Sequence, residues 1–304
     1  DVYKRQGVIR DDGFKILKKD DKLQHNDKAY VIVNSNQMEE TLKVFGHNEK
    51  IANKILIIGG GDGLALRDVL EFEPESVTLI DLDQELVEFF SPALNMKHYR
   101  RALVQLNEQA FADSRVEVVI GDAFLEVDNL RDKAKIFDVI IVDLPDPSHP
   151  DLDRLYSSYF YQRLYSLLSA NGVMAVQSTS PYHAKKAFIS IGKTISAAGF
   201  SHVEQYRQNI PSFGEWGWTV ASKQKMSVRQ RLLAMKSLSV EDHWLTRDLA
   251  IASFEFPKDF FQDDDVKINT LGTNQIYQYH SEAWKSDLGL YLDCLLYTSD
   301  AADE

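Results

Sequence analysis

Six aspartates stand where short apolar runs end: Asp62, Asp81, Asp83, Asp122, Asp143 and Asp146. Carboxylates at such positions can bind cations, accept hydrogen bonds from ribose hydroxyls or amino groups, and take a proton from an attacking amine. The first lies inside "KILIIGGGDG", a loop of a kind that usually cradles phosphate. A carboxylate there would repel phosphate, so the loop asks for a different ligand or for none. As a bare turn it needs only Gly59, Gly60, Gly61 and Gly63 to reverse the chain between a strand and a helix.

The spacing Gly59, Gly61, Gly63 is G-x-G-x-G, and Leu64 occupies the third glycine position of the nicotinamide fingerprint. The next two apolar runs strengthen the ligand reading. Asp81 and Asp83 close the first of them, about 20 residues on, where an acid can hold a ribose. Asp122, followed by Ala123, closes the second and can accept from an adenine amino group. A glycine loop and two successive acids fit an adenosyl-sulfonium ligand, which has no phosphate. The fourth run ends in "VDLPDPSHP", where Pro145 and Pro147 stiffen the turn carrying Asp143 and Asp146. A Pro/Asp turn can simply reverse the chain, which suffices for Asp146 alone. Asp143, directly after "FDVIIV", is better explained by a site. The sequence offers no His and Cys set for a transition metal, and no basic residue flanks the loop to hold a magnesium phosphate. His149 reads as a surface residue.

These acids need a frame. "KILIIGG", Ser76 to Asp83, Arg115 to Ala123, "FDVIIVDLPDP" and "VMAVQST" read as strands. "LALRDVLEF", "QELVEFF", "YFYQRLYSLLSANG" and "AKKAFISIGKTISAAGF" read as helices, the third closed by Gly172 as C-cap and the last ending near Gly199. The alternation predicts a mostly parallel sheet with helices on both faces, and ligands in such sheets bind beyond the carboxyl ends of strands. "HVEQYRQNIP" and "GWTVASK" read as a final strand pair, "KAYVIVN" as an early strand, and the stripe Leu164, Leu167, Leu168 as helical core. The domains expected are an N-terminal β segment over 1–47, a catalytic domain over 48–225 and an extension over 226–290. "DVYKRQ" (1–6) and the tail over 291–304 continue no neighbouring pattern. They read as adapter-derived, with a natural N-terminus then expected to be missing, or as frayed native termini.

The chain has 304 residues, 44% of them hydrophobic, ordinary for a globular protein with a sizeable core. A net charge of -12 makes nucleic-acid backbones poor partners and favours cationic substrates, although solubility alone also accounts for it. One cysteine excludes an internal disulfide and fits a reducing, cytoplasmic compartment. No apolar run approaches the roughly 20 residues of a membrane span.

"ILIIGGGDG", "LIDLD", "GDAF", "VIIVDLPDPSHPDLDRLYSSYFY" and "GVMAVQSTSP" together resemble the polyamine aminopropyltransferases, the spermidine synthases. "VQSTSPYHAKKAF" and "PSFGEWGW" resemble the bacterial subgroup whose members often carry membrane helices ahead of the catalytic domain. The resemblance implies a Rossmann-like sheet of the class I methyltransferase type. It also implies aminopropyl transfer from decarboxylated S-adenosylmethionine, as co-substrate, to putrescine, giving spermidine and methylthioadenosine. No separate cofactor or metal is implied, and the assembly expected is a homodimer. By resemblance Asp62 contacts the donor's aminopropyl end, Asp81 the ribose and Asp122 the adenine; Asp143 is the base and Asp146 binds the amine. Tyr156 and Gln177 match pocket positions. Ahead of the loop, "NSNQMEETLKVFGH" keeps Asn34, Gln37 and Glu39 or Glu40 of the family's closing segment and lacks its Tyr-His pair. Trp216, Trp218, Phe213 and Tyr182 are candidates for a diamine channel. Core packing is the expectation for Trp218, and Trp216 reads as either, in a loop beside Gly214. Two other functions use the same sheet: S-adenosylmethionine-dependent methyl transfer, whose donor keeps a carboxylate that Asp62 would repel, and non-catalytic binding of a polyamine or nucleoside.

Overall fold

The computed structural model describes the backbone of 6–10, 13–16 and 28–31, and residues 53–93, 96–212, 214–224, 226–238, 240 and 244–287. It divides into two compact units, 1–51 and 52–304. In the first, β1 (Gln6–Arg10), β2 (Gly13–Ile16) and β3 (Lys28–Val31) form an antiparallel sheet in the order β2-β1-β3.

The second unit is built on a seven-stranded sheet. Its strands are β4 (Lys54–Gly59), β5 (Ser76–Asp81), β6 (Val116–Ile120), β7 (Phe137–Asp143), β8 (Leu168–Gln177), β9 (His202–Ile210) and β10 (Gly214–Ser222). The order is β6-β5-β4-β7-β8-β10-β9, parallel from β6 to β8, with β10 antiparallel to both neighbours. The chain runs outward from β4 through β5 to β6, then returns to β7 on the other side of β4. That reversal opens a crevice at the carboxyl end of β4, flanked by the ends of β5 and β7.

Alternate residues of β4 feed opposite cores, which is why its run is continuously apolar. Leu56 and Ile58 pack with Ile140, Val142, Phe160 and Leu164 on one face. Ile55 and Ile57 pack with Leu66, Val69 and Leu79 on the other. The covering helices include α1 (Leu64–Leu70), α2 (Gln84–Phe90), α3 (His98–Leu106), α4 (Ala123–Asp132), the short α5 (Pro150–Asp153), α6 (Ser158–Leu167) and α7 (Lys185–Ala197). In the C-terminal extension lie α8 (Val228–Ala234), α9 (Arg247–Ala252) and α10 (Gln275–Asp287). Phe260 and Val266 of the extension pack on Phe188 and Ile189 of α7.

Three local expectations are corrected. Gly172 is no C-cap: α6 ends at Leu167, the extended Leu168 comes next at φ -82°, and Gly172 lies within β8. A Cβ there would meet the Leu168 side chain at 2.8 Å, beside a register irregularity between β7 and β8, so the glycine serves a close approach. Leu168 is buried core as expected, yet it opens the strand rather than extending a helical stripe. Trp216 belongs to β10, opposite Gln208, and not to a loop. Among the helices outside the elements read from the sequence are α3 and α4. Helix α3 buries only Val104 and so carries almost no apolar stripe, whereas α4 buries Ala123, Val127 and Leu130 at helical spacing and was legible.

Candidate active site

The loop after β4 is a tight turn in which Gly63 N donates to Gly60 O at 2.9 Å. Gly59 sits at φ +84° opposite Asp143, and a Cβ on it would come within 2.1 Å of the Asp143 carbonyl oxygen. A Cβ on Gly61 would lie 2.8 Å from Asp81 Oδ2. The glycines therefore let the loop close against the ends of both neighbouring strands. Asp62 accepts from Leu64 N through Oδ1 at 3.0 Å, and its carbonyl accepts from the buried Asn107 Nδ2 at 2.9 Å. Asn107 also donates to Phe90 O at 3.0 Å, tying the loop to the end of α2.

Asp143 faces the same loop: its Oδ2 is 3.5 Å from the Cβ position of Gly60. Its carboxyl is pushed above the usual carboxylate range, first by the protein crowded around it and then by the negative charge of Asp62. The residue is open to solvent, so this is crowding in an open recess rather than sealing from water. The two acids thus share one electrostatic site.

Asp146 is held firmly. Its Oδ1 accepts from Gln177 Nε2 at 2.7 Å, and Oδ2 accepts from Thr179 Oγ1 at 3.1 Å and lies 3.1 Å from His280 Nε2. Thr179 has φ +59°, a strained conformation held by Gly217, which bonds to both Ser178 and Thr179. Tyr156 is buried and donates to Pro145 O at 2.7 Å, fixing the turn between the two acids. Burial, then Tyr161, Asp146 and Asp143, push its hydroxyl well above 10, so it stays a neutral donor.

The ends of β5 and β6 carry the remaining acids. Asp81 turns Oδ2 toward the glycine loop while Oδ1 accepts from Asp83 N at 2.8 Å. Asp83 caps α2, accepting from Leu86 N at 2.9 Å. Asp122 caps α4 through Phe124 N at 3.0 Å and pairs with Arg154 Nη2 at 2.6 Å; Ala123 is the buried first residue of that helix. Part of the reason for acids at these strand ends is therefore capping. Trp216 is half-buried in β10, one residue before the Gly217 that holds Thr179. Trp218 is half-buried and stacks on Tyr206 at 5.6 Å. Tyr182 is exposed and meets Phe260 edge-on at 5.6 Å. Gln37, Asn34, Glu39, Glu40 and Phe213 lie outside the described residues. His149 is exposed, as expected.

Sequence reasoning missed four residues. Thr179 was legible in the polar "QSTSP" after a strand end. Arg154, Asn107 and His280 gave no local signal, His280 being 134 residues from its partner. Among the described residues no group of three His, Cys, Asp or Glu is arranged to hold a metal ion, and no helix is long and apolar enough to cross a membrane.

Comparison with known proteins bears on the same segments. Residues 37–232 match the spermine/spermidine synthase domain. A polyamine aminopropyltransferase of Shewanella oneidensis is 54% identical over 243 residues, 79% of this chain and 42% of that protein. One from Oceanobacillus iheyensis is 35% identical over 79% of this chain and 44% of its own length. The chain thus spans under half the length of these curated relatives. Among solved structures, spermidine synthase from Thermotoga maritima aligns with TM-score 0.57 and 27% identity, covering 69% of each chain. A spermidine synthase in complex with the transition-state analogue AdoDATO aligns with TM-score 0.56 and 26% identity, over 69% of this chain and 68% of that one. The mostly parallel sheet is the Rossmann-like, methyltransferase-type fold of those synthases. With the family domain covering well over half of its residues, the chain belongs to the spermine/spermidine synthase family.

Proposed function

We propose that this chain transfers an aminopropyl group from decarboxylated S-adenosylmethionine to putrescine, giving spermidine and methylthioadenosine. The observation that carries it is the juxtaposition of Asp62 and Asp143, on adjacent strand ends and close enough for one to raise the other's pKa. The donor's sulfonium and primary amine are both cationic, and the glycine loop and Asp81 suit an uncharged nucleoside. In this reading Asp62 meets the aminopropyl amine, Asp81 the ribose, and Asp122 with Ala123 the adenine. Asp146, Gln177 and Tyr156 form the acceptor side, with Trp216 and Gln37 further candidates there.

The chemistry balances within the site. The amine nitrogen attacks the methylene next to sulfur; the new C–N bond forms as C–S breaks and its electron pair returns to sulfur as a neutral thioether. The proton lost by the amine goes to the Asp143 carboxylate. Crowding and Asp62 make that carboxylate a stronger base than an ordinary aspartate. The leaving group needs no protonation, so most of the remaining acceleration is alignment of two bound reactants. A homodimer in a cytoplasmic compartment belongs to the same reading, and light scattering tests the assembly.

Mass-spectrometric detection of methylthioadenosine from decarboxylated donor and putrescine is the test, and product from the wild-type chain is expected. Calorimetry with both donors separates the methyltransferase alternative: tighter binding of intact S-adenosylmethionine would overturn the proposal. Binding of donor and diamine without product would leave a non-catalytic binder.

A further inference from the structure

The second acidic residue of the β7 turn is held from a distant part of the chain. His280 reaches it from α10, with its side chain 6% exposed and Nε2 3.1 Å from Asp146 Oδ2. Trp284, one helical turn further on, points its indole Nε1 at the same ring nitrogen from 2.8 Å, and its ring stacks on His183 at 5.9 Å. One nitrogen cannot accept from Trp284 and donate to Asp146 together. With Asp146 ionised, a proton on Nε2 makes the attractive contact to the carboxylate, and the charge on the acceptor strengthens it. With the proton on Nδ1 instead, Nε2 takes the indole N–H and turns a lone pair toward the carboxylate.

We propose that His280 is a positioning residue of the acceptor site. Its Nε2–H, together with Thr179 and Gln177, fixes the plane of the Asp146 carboxylate so that its remaining lone pairs face an incoming ammonium group. In that state Trp284 does not donate to Nε2 and holds the imidazole by ring contact alone, its ring centroid 6.1 Å from that of His280. A C-terminal helix thereby sets how well a diamine is gripped, while the donor side, built on β4, β5 and β6, is untouched. This rests on the aminopropyltransferase reading, in which Asp146 binds the amine.

The test compares His280→Leu, His280→Asn and His280→Gln in the full chain. Glutamine can place an N–H near the position of Nε2; asparagine is too short and leucine has none. The leucine and asparagine variants are expected to raise the putrescine KM about tenfold, with kcat changed far less and calorimetric affinity for the decarboxylated donor unchanged. Glutamine is expected to recover most of the loss, and the asparagine comparison stands if the leucine variant does not fold. Equal behaviour of asparagine and glutamine, or donor affinity and thermal stability falling as acceptor KM rises, would overturn the proposal and leave His280 as packing. Should the wild-type chain bind putrescine without forming product, the transferase reading fails, and the same comparison by putrescine calorimetry decides this one. A wild-type chain that binds no diamine overturns both.

Discussion

At Asp143 crowding and a like charge act in the same direction, and both oppose ionisation. The folded-state pKa therefore lies above the unfolded one. Stability associated with this residue is full below the unfolded value and falls as pH rises through the folded value. At neutral pH the ionised carboxylate is a liability to the fold and the base of the proposed reaction. Asp143→Asn is accordingly expected to lower kcat by about 10²- to 10⁴-fold while raising the thermal midpoint at pH 7. An activity assay beside a melting curve checks both, and a midpoint that falls would contradict the electrostatic account. Asp62 makes a separate prediction. Replacing it with Asn removes the charge that would pair with the donor amine and repel a donor carboxylate. Preference for decarboxylated over intact S-adenosylmethionine is expected to shrink by roughly 10- to 100-fold in Kd ratio, measured by calorimetry with each donor.

At the scale of elements, the site depends on how closely the loop after β4 approaches its neighbours. Gly59 needs a left-handed backbone and has the Asp143 carbonyl where a Cβ would stand. Gly59→Ala thus carries about 1–2 kcal/mol for the conformation alone, plus whatever strand separation relieves the contact. A lowered urea midpoint is expected together with lost activity. Gly61 is different: its φ is not left-handed, and the nearest atoms are the end of the Asp81 side chain. Gly61→Ala is expected to fold, displace Asp81 and weaken donor binding more than stability, as calorimetry and unfolding on the same sample would show. The strands of the seven-stranded sheet, the loop and the order in which acids close them were legible from apolar runs and glycine spacing, whereas β1 and β2 lie in a polar stretch and were not. The direct passage from α6 into β8 was not, because Gly172 looks like a helix stop and only the packing of Leu168 against it shows a strand.

Across the whole molecule, the C-terminal extension is latched to α5 through a buried polar node. Asn269 Nδ2 donates to Asp153 Oδ2 at 2.6 Å, and Tyr277 N donates to Asp153 Oδ1 at 2.9 Å. Burial raises the Asp153 pKa, partly offset by hydrogen bonds from Tyr277 and Asn269. Asn269→Ala leaves a buried acid short of a donor, which costs about 1–3 kcal/mol. The expected result is earlier proteolysis in 226–287 and weaker acceptor use, since His280 sits on the next helix along the chain. The net charge of -12 acts over longer distances. A dicationic diamine is drawn toward such a surface, and its apparent KM is expected to rise with ionic strength as the field is screened.

The sequence by itself determined the sheet-forming runs, the glycine loop and the aspartates that close each strand. These are local facts, written in apolar periodicity and in residue types that turns require. It also carried the family, because the motifs keep their order along the chain. Only the tertiary structure decided which acids share a site. Asp62 and Asp143 come together because β4 and β7 are neighbours in register, while Asp83 and Asp122 are partly occupied as helix caps. It alone brought His280 to Asp146 and Arg154 to Asp122. Such pairings depend on strand order and on where a C-terminal helix docks. Both are set by burial summed over the whole core, which no short stretch of sequence contains.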